Sequence, residues 1–250
     1  MQSWAGGLSA AAPVHPLLLP GLPDNLDGGV GTHGYDSAVA TKVKICGMTN
    51  VDDARAAVDL GAWAIGMIFF EESPRRCTIE DAAAIATALR RKVELVGVFV
   101  NAPLDEVMHT LDSVPLTILQ LHGDEGPSYC DEASRRTGLK LMKAARVRDR
   151  AGVRALSSYR TDFHLMDSHV PGTWGGTGER FDWELASAHP HRPPLLLSGG
   201  LTPDNVAGAI AVARPFAVDV ASGVEAEPGH KDPDKLKRFF ASVEAAAAPV

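Results

Sequence analysis

The hydrophobic pattern is regular from Thr41 onward, where short apolar runs are each followed by a longer amphipathic stretch. Apolar runs of this length, bounded by glycine, proline or asparagine, predict strands, and the amphipathic stretches between them predict helices. Eight such strand–helix pairs fit between residues 41 and 250. The predicted strands cover residues 42–46, 62–70, 94–100, 116–122, 139–144, 162–167, 194–198 and 216–220.

Several predicted helices begin at residues that are typical of helix caps. Thr49 or Asn50 precedes the first helix, and Thr78 precedes the second, with Asp81 three residues later. In the seventh unit, Thr202 followed by a proline predicts a helix start at that point. The predicted helices lie near 51–60, from 78, from 103, 125–137, 148–157, from 181, from 202 and 232–247.

Eight successive strand–helix units in about 210 residues predict a single α/β domain of the (β/α)8 TIM-barrel class, spanning residues 41–250. A doubly wound open sheet is the alternative, but such sheets rarely need eight even repeats. The barrel is therefore the expected fold.

Residues 1–40 differ from the rest of the chain. They are rich in glycine, proline and alanine, and they show almost no periodic apolar pattern. The glycine cluster at 27–31 follows no strand and opens no helix, so it does not predict a phosphate loop. We expect a disordered leader in this segment.

Composition narrows the functional classes. A net charge of −7 gives no reason to expect nucleic acid or an anionic membrane surface as a partner. No apolar run is long enough to span a bilayer, and the first residues lack the basic start of a signal peptide. The three cysteines, Cys46, Cys77 and Cys130, fit neither a disulfide framework nor a zinc ribbon. A cytoplasmic location is the expectation.

Four ionisable residues lie at or next to the carboxyl ends of predicted strands, where barrel enzymes place their chemistry. Strand alternation turns Cys46 inward together with Lys44, and it turns His122, Asp167 and Asp219 inward on their own strands. Buried polar groups need partners, so four of them at one mouth would be costly as packing alone. Each taken singly could still be a solvated rim residue or a helix cap.

The loops after the last three strands are rich in small residues. The sixth loop, 167–178, is long and contains a GGTG string, which by itself is a weak signal because mobile turns use the same residues. SGG at 198–200 and ASGV at 221–224 follow strands seven and eight, which is where barrel enzymes bind phosphate on backbone N–H groups. The pair predicts a phosphate site.

Arg75 lies in the loop after the second strand. An arginine in such a loop is usually a solvated charge, but one that faces the mouth can bind a carboxylate with two parallel hydrogen bonds. Together with the phosphate loops, Arg75 indicates a substrate that is anionic at both ends.

Several short motifs follow one another along the chain after residue 40. They are KICGMTN at 44–50, GVFVN at 97–101, QLHG at 120–123, GGTG at 175–178 with FDW at 181–183, LSGGL at 197–201, and VDVASGVE at 218–225 running on to PG at 228–229 and KD at 231–232. In this order and spacing the motifs resemble those of the phosphoribosylanthranilate isomerases, and the resemblance covers nearly everything after residue 40.

The resemblance implies an enzyme of tryptophan biosynthesis that needs no metal and no organic cofactor. Its reaction is the Amadori rearrangement of N-(5-phosphoribosyl)anthranilate to the corresponding 1-deoxyribulose 5-phosphate. The partner is then this small-molecule substrate, and the protein is a monomer or a homodimer. The roles implied are general base for Cys46, general acid for Asp167, anthranilate carboxylate binding for Arg75, sugar contacts for His122 and Asp219, and phosphate binding around Gly176, Gly200, Ser222 and Gly223.

In two places the sequence departs from the family pattern. Arg76 and Cys77 follow Arg75, where the family often has an apolar or aromatic residue, so either arginine could meet the carboxylate. The forty-residue leader has no counterpart in the family.

A thiol acts as a base only when it has thiolate character, which nearby positive charge favours. Lys44 is a candidate source of that charge, although it could instead neutralise an inward carboxylate such as Asp219. Two other functions stay open from the sequence. One is a broader sugar-phosphate isomerase that also serves histidine biosynthesis, and the other is a non-catalytic barrel that binds a phosphorylated metabolite.

Overall fold

Eight parallel strands close into a barrel in chain order, and β8 pairs with β1. The computed structural model describes residues 40–167 and 183–247 of the chain. Its closed barrel confirms the predicted (β/α)8 fold and excludes the open sheet. The strands are β1 (Lys42–Cys46), β2 (Ala64–Ile68), β3 (Glu94–Phe99), β4 (Ile118–Leu121), β5 (Lys140–Arg146), β6 (Phe163–Asp167), β7 (Leu195–Ser198) and β8 (Ala217–Val220).

A helix follows every strand on the outside of the barrel. None of the helices in the described ranges is both long and apolar enough to cross a membrane. The helices are α1 (Val51–Asp59), α2 (Ile79–Leu89), α3 (Leu104–Ser113), α4 (Pro127–Thr137), α5 (Arg150–Ala155), α6 (Trp183–Ser187), α7 (Val206–Ala213) and α8 (Pro233–Ala247). Two short 3-10 turns, Leu156–Ser158 and Ser222–Val224, complete the connections.

Three sequence predictions fall on residues outside the described ranges. They are the disordered leader, apart from residue 40 itself, most of the glycine-rich sixth loop with Gly176, and the start of the sixth helix near 181.

The inner face of the barrel follows the predicted strand alternation. The buried cluster that fills the barrel includes Cys46, Ile118, Leu165 and Ala217, each from a different strand. A second and larger cluster lies between the outer faces of the strands and the helices. The inward orientation of Cys46 therefore results from the same side-chain alternation that builds the core.

The cap predicted for α2 is confirmed, because Thr78 Oγ1 accepts a hydrogen bond from Asp81 N at 3.1 Å. The predicted start of α7 is wrong: the helix begins at Val206, four residues after Thr202. Asn205 Oδ1 accepts a hydrogen bond from Thr202 N at 2.8 Å, and Asn205 Nδ2 donates one to Gly200 O at 2.9 Å. These bonds fold residues 202–205 into a turn against the loop after β7, so the helix can begin only after it.

One element was not predicted from the hydrophobic pattern. An antiparallel hairpin of β9 (Glu225–Glu227) and β10 (His230–Lys231) leaves the barrel after β8, and Gly229 turns between the strands with a φ of 87° that favours glycine. Thr49 Oγ1 donates a hydrogen bond to Gly229 O at 2.6 Å, which ties the hairpin to the loop that follows β1.

Aromatic side chains close the end of the barrel where the strands begin. The rings of Trp63, Phe163 and Phe216 have centroids 5.3 to 5.8 Å apart, and the Lys42 ammonium lies 5.0 Å from the Phe216 centroid. Edge-to-face rings and a cation over a ring face are favourable arrangements. The opposite end, where the strands finish, is the one that carries polar side chains.

A buried ion pair outside the barrel joins β5 to the loop after β4. Lys143 Nζ lies 2.7 Å from Glu125 Oε2, and both side chains are almost fully buried. Glu125 also accepts hydrogen bonds from the backbone N–H groups of Asn101 and Gly123, at 2.7 and 2.8 Å. Every charge in this pair is therefore compensated within the fold.

Two buried histidines share a hydrogen bond behind β6. The backbone N–H of His191 donates to His189 Nδ1 at 2.9 Å, so the proton of the His189 ring is on Nε2, which donates to His164 Nδ1 at 2.9 Å. Burial lowers the pKa of both rings, to about 4 for His189, where the neighbouring histidines add to the effect. Both rings are therefore neutral near pH 7.

The neutral histidine pair should make stability depend on pH. A pKa lowered from 6.5 to about 4 means that the contribution of His189 is complete above pH 6.5 and is lost as the pH falls toward 4. Since one pKa unit corresponds to about 1.4 kcal/mol, we expect a loss of about 3 kcal/mol by pH 4. Denaturant unfolding at several pH values measures it.

His189→Gln should flatten this pH profile, whereas His109→Gln, a change on the exposed face of α3, should leave it as in the unaltered protein. A His189→Gln profile that runs parallel to that of the unaltered protein between pH 6.5 and 4 would contradict the assignment.

Candidate active site

The polar end of the barrel contains the residues predicted to line the mouth. Cys46 and Asp167 are the last residues of β1 and β6, Asp219 is next to last in β8, and His122 directly follows β4. Cys46 and Asp219 are buried, while His122 and Asp167 are partly exposed. The carboxyl ends of parallel barrel strands share one rim, so the closed barrel brings these four residues to the same mouth.

A fully buried ion pair lies beneath this mouth. Lys44 and Asp219 are directly opposite each other in the register of β1 and β8, and Lys44 Nζ lies 2.7 Å from Asp219 Oδ1. Ser198 Oγ donates a hydrogen bond to the other carboxylate oxygen at 3.2 Å. Burial acts to lower the pKa of Lys44, but the adjacent Asp219 and Cys46 outweigh it and the pKa is raised. Lys44 therefore keeps its charge, and it neutralises Asp219.

The Cys46 thiol lies beside the same ammonium group. Burial raises the pKa of Cys46, and the Asp219 carboxylate adds to the effect. The Lys44 and Lys231 ammonium groups act in the opposite direction but do not outweigh burial. Lys44 thus has both of the roles considered for it from the sequence. The protein alone, however, favours the neutral thiol over the thiolate form that a base needs.

Gly66 makes room for this arrangement. It pairs with Cys46 in the register of β1 and β2, and a Cβ atom at Gly66 would lie 2.9 Å from Cys46 Sγ and 3.1 Å from Lys44 Nζ. Contacts this short would displace the thiol or the ammonium group. Gly66 was missed from the sequence, although a glycine inside a strand is a signal of close approach by another group.

His122 links Asp167 to the barrel interior. Gln120 Nε2 donates to His122 Nδ1 at 3.0 Å, so the ring proton is on Nε2, which donates to Asp167 Oδ2 at 3.2 Å. This bond fixes the orientation of the Asp167 carboxyl group. Gln120 Oε1 is buried and has no hydrogen-bond partner within the described ranges, a cost that a hydroxyl group of a ligand would remove.

Arg75 and Arg76 lie in very different places. The Arg75 side chain crosses Gly47, where a Cβ atom would lie 2.8 Å from Arg75 Cδ, and this brings it next to the end of β1. Its guanidinium is bonded to Glu225 through Nε and Nη2, at 2.9 and 2.8 Å. Arg76 is exposed and lies 3.5 Å from Glu71 on the surface. Of the two, Arg75 is the one at the rim.

Glu225 and Lys231, both on the hairpin, complete the rim. Lys231 Nζ donates to Glu225 Oε1 at 2.8 Å and to the carbonyl oxygen of Cys46 at 2.7 Å. From the sequence, Glu225 and Lys231 were parts of motifs without an assigned role. The proline–glycine turn between them was the available signal for a hairpin.

The predicted phosphate loops meet at the same end of the barrel. A Cβ atom at Gly223 would overlap the carbonyl oxygen of Leu201, so the loop after β8 packs directly on the segment that follows β7. Gly200, with a φ of 63°, and Ser222, which begins the 3-10 turn, lie on these two loops. Gly176 lies outside the described residues.

The arrangement suits proton transfer on a small anionic ligand. It combines a buried thiol beside two cations, a carboxyl group oriented by a histidine, and an arginine with a well-defined direction. Within the described ranges, no group of three or more His, Cys, Asp and Glu side chains is placed to hold a metal ion. General acid–base chemistry needs one group that gives a proton and another that takes one within the same pocket, and the carboxyl group and the thiol are the two candidates at this rim.

Comparison with known proteins identifies the family that shares these features. Residues 43–242 match the sequence model of a family described as N-(5'-phosphoribosyl)anthranilate (PRA) isomerase. The N-(5'-phosphoribosyl)anthranilate isomerase of Citrifermentans bemidjiense is 50% identical over 201 residues, which are 80% of this chain and 96% of that relative.

Solved structures agree with the sequence matches. A crystal structure of phosphoribosyl anthranilate isomerase from Thermotoga maritima is similar with a TM-score of 0.74 and 42% identity, and the match covers 82% of this chain and 99% of that one. A structure of a phosphoribosyl anthranilate isomerase in complex with reduced 1-(o-carboxyphenylamino)-1-deoxyribulose 5-phosphate has a TM-score of 0.71 and 38% identity, with the same coverage.

The buried Lys44–Asp219 pair gives a prediction about stability. Asp219→Asn leaves the Lys44 charge without its counterion, which should lower the free energy of unfolding by about 3–5 kcal/mol. The double variant Lys44→Met/Asp219→Asn removes both charges and should be more stable than the single variant. Guanidinium unfolding monitored by circular dichroism measures both; a double variant no more stable than Asp219→Asn would contradict the pairing.

Proposed function

The chain belongs to the N-(5'-phosphoribosyl)anthranilate isomerase family, and we propose that Cys46 and Asp167 carry out its Amadori rearrangement. The reaction is an aldose–ketose isomerisation in tryptophan biosynthesis. It converts N-(5-phosphoribosyl)anthranilate to 1-(2-carboxyphenylamino)-1-deoxyribulose 5-phosphate. The observation that carries the proposal is one rim that presents a thiol beside two ammonium groups together with a carboxyl group oriented by His122.

Asp167 is the general acid. In its protonated form it gives a proton to the ring oxygen of the furanose, the bond from that oxygen to C1 breaks, and the nitrogen lone pair forms the C1–N double bond of a Schiff base. The His122 hydrogen bond at 3.2 Å orients the carboxyl group for this transfer. Because Asp167 is at the end of β6, its position is set by a strand rather than by a flexible loop.

Cys46 is the general base. Its thiolate removes the proton from C2, the electron pair forms the C1–C2 double bond, and the C1–N double bond becomes a single bond. The resulting enolamine then tautomerises to the ketone. Burial raises the pKa of the thiol, so the ionised form is a minor species at neutral pH. Lys44 and Lys231 stabilise that form by their charges, without reaching the substrate themselves.

The anionic ends of the substrate have separate sites in this proposal. The anthranilate carboxylate binds Arg75, whose remaining guanidinium edge is suited to two parallel hydrogen bonds. The phosphate lies on backbone amides around Gly176, Gly200, Ser222 and Gly223, on the loops whose counterparts bind phosphate in many barrel enzymes. His122 and Asp219 lie near the sugar between them.

The proposal needs no metal and no organic cofactor, because the rearrangement moves protons and electron pairs within one substrate. All the residues assigned to the reaction belong to one chain, so a monomer and a homodimer serve it equally. The substrate is a small molecule with two anionic groups that does not cross a bilayer unaided. A cytoplasmic location is therefore part of the proposal.

The first prediction from this proposal concerns the acid and the base. Cys46→Ala and Asp167→Asn should each lower kcat by roughly 10²–10⁴-fold, the usual contribution of a general acid or base. The unaltered enzyme should become faster as the pH rises above 7, because the thiolate fraction increases. The assay follows the loss of phosphoribosylanthranilate fluorescence.

Cys130→Ala is the control, since this buried cysteine lies on α4, away from the rim. Near-normal turnover by Cys46→Ala or Asp167→Asn would remove that residue from its role. The same preparations should be assayed with the corresponding histidine-pathway substrate. Turnover of that substrate would support the broader isomerase, and binding of phosphoribosylanthranilate without turnover would support the non-catalytic barrel.

The second prediction separates the two neighbouring arginines. Arg75→Ala should raise KM by roughly 10–100-fold with a smaller change in kcat, because a charge-assisted bidentate contact is lost. Arg76→Ala should change neither constant by more than about twofold, as expected for an exposed arginine whose ion pair lies on the surface. A rise in KM for Arg76→Ala with none for Arg75→Ala would reverse the assignment.

A further inference from the structure

The Glu225 carboxylate at the rim accepts hydrogen bonds from two cationic side chains. It is almost fully buried, and Oε1 accepts hydrogen bonds from Arg75 Nε at 2.9 Å and Lys231 Nζ at 2.8 Å. Its Oε2 accepts from Arg75 Nη2 at 2.8 Å. Both cations lower the pKa of Glu225, against the effect of burial, so the carboxylate is charged.

The Lys231 ammonium group is also fixed by hydrogen bonds within the protein. It has three hydrogens and three acceptors: Glu225 Oε1, the Cys46 carbonyl oxygen at 2.7 Å, and the Ala221 carbonyl oxygen at 3.4 Å. The backbone N–H of Lys231 donates to Asp53 Oδ2 at 2.8 Å. An ammonium group whose hydrogens are all used cannot serve a ligand. The Lys231 ammonium group instead connects the hairpin to the end of β1 and to the loop after β8.

Arg75 is consequently fixed in orientation before any ligand arrives. Glu225 takes the Nε edge of the guanidinium, and Gly47 lets the aliphatic part of the side chain lie flat against the end of β1. The edge formed by Nη1 and Nη2 is the one that remains for an incoming carboxylate. Holding a flexible side chain in its bound orientation removes an entropy cost from ligand binding.

The charges of this group also do not balance. Two cations, Arg75 and Lys231, share the single Glu225 carboxylate, so the group has one net positive charge. The Lys143–Glu125 pair, buried elsewhere to a similar degree, is balanced and holds no arginine. The Arg75 guanidinium therefore keeps a positive charge at the edge that Glu225 does not occupy.

We propose that Glu225 and Lys231 are positioning residues that hold the Arg75 guanidinium ready for an aromatic carboxylate and tie it to the strand end that carries Cys46. The inference rests on the proposed function and deepens it, since it assigns two residues that act through Arg75 and do not touch the substrate. The inference implies that the enzyme distinguishes ligands with and without the carboxylate only when the buried Glu225–Lys231 pair holds Arg75 in place.

The test compares two stable ligands by calorimetry. One is reduced 1-(o-carboxyphenylamino)-1-deoxyribulose 5-phosphate, and the other is its counterpart with a phenyl group in place of the carboxyphenyl group. The unaltered enzyme should prefer the first by roughly 10–100-fold, the range for hydrogen bonds to a charged group. In Glu225→Gln this preference should fall by about tenfold, while affinity for the second ligand stays within about threefold.

Three further variants sharpen the test. In Arg75→Ala/Glu225→Gln the preference should equal that of Arg75→Ala alone, because Glu225 acts only through the arginine. Glu125→Gln, a matched change in the balanced pair, should keep the preference of the unaltered enzyme. If Glu225→Gln does not fold, Glu225→Met/Lys231→Met replaces the pair by apolar side chains of similar volume and should show the same loss.

Three results would overturn the inference that Glu225 and Lys231 position Arg75. It is wrong if a folded Glu225 variant keeps the full preference, or if it weakens both ligands equally. It is also wrong if the unaltered enzyme does not distinguish the two ligands, because Arg75 then has no carboxylate to receive. Turnover of phosphoribosylanthranilate by the unaltered enzyme is measured separately, so a failure of the inference is not confused with a failure of the proposed function.

Discussion

A lysine with no exposed surface, Lys44, imposes the main constraint on this site. A charge in that position requires a counterion within the protein, and strand register supplies it by setting Asp219 directly opposite on β8. Asp219 in turn takes a hydrogen bond from Ser198 on β7. Gly66 on β2 leaves the space that the ammonium group and the Cys46 thiol need. The buried charge of Lys44 on β1 thus constrains which residue types fit at facing positions on β2, β7 and β8.

The two sides of the rim differ in a way that suits an acid and a base. On the Cys46 side, burial favours the neutral thiol, and two ammonium groups act against burial without outweighing it. On the Asp167 side, the carboxyl group is partly exposed and bonded to the His122 imidazole, which Gln120 contacts on its other nitrogen. Each environment comes from side chains beneath the rim, in agreement with the general rule that supporting residues tune the reacting groups.

The sequence was sufficient for features that depend on local periodicity. Side-chain alternation was enough to predict the inward face of the strands that carry or lead to Cys46, His122, Asp167 and Asp219. The repeated order of strand and helix was enough to predict the closed barrel. It was insufficient where long-range contacts decide. Nothing near Thr202 shows that Asn205 will bind the loop after β7 and delay α7. Likewise, nothing near Arg75 indicates that its partner is Glu225, 150 residues further along the chain, on a hairpin too short to show a period.

The long sequence separations in this rim have a consequence for folding. Lys44 pairs with a residue 175 positions away, and the Cys46 carbonyl with one 185 positions away. The first strand emerges early in synthesis, but its charge has no counterion and its thiol no ammonium neighbour on the hairpin until residues 219–231 have been made and docked. Closing chain loops of this length is slow compared with forming a local helix–strand unit. The surroundings of Cys46 are therefore complete only when the barrel closes, and an amino-terminal fragment that forms the first strand correctly would still lack them.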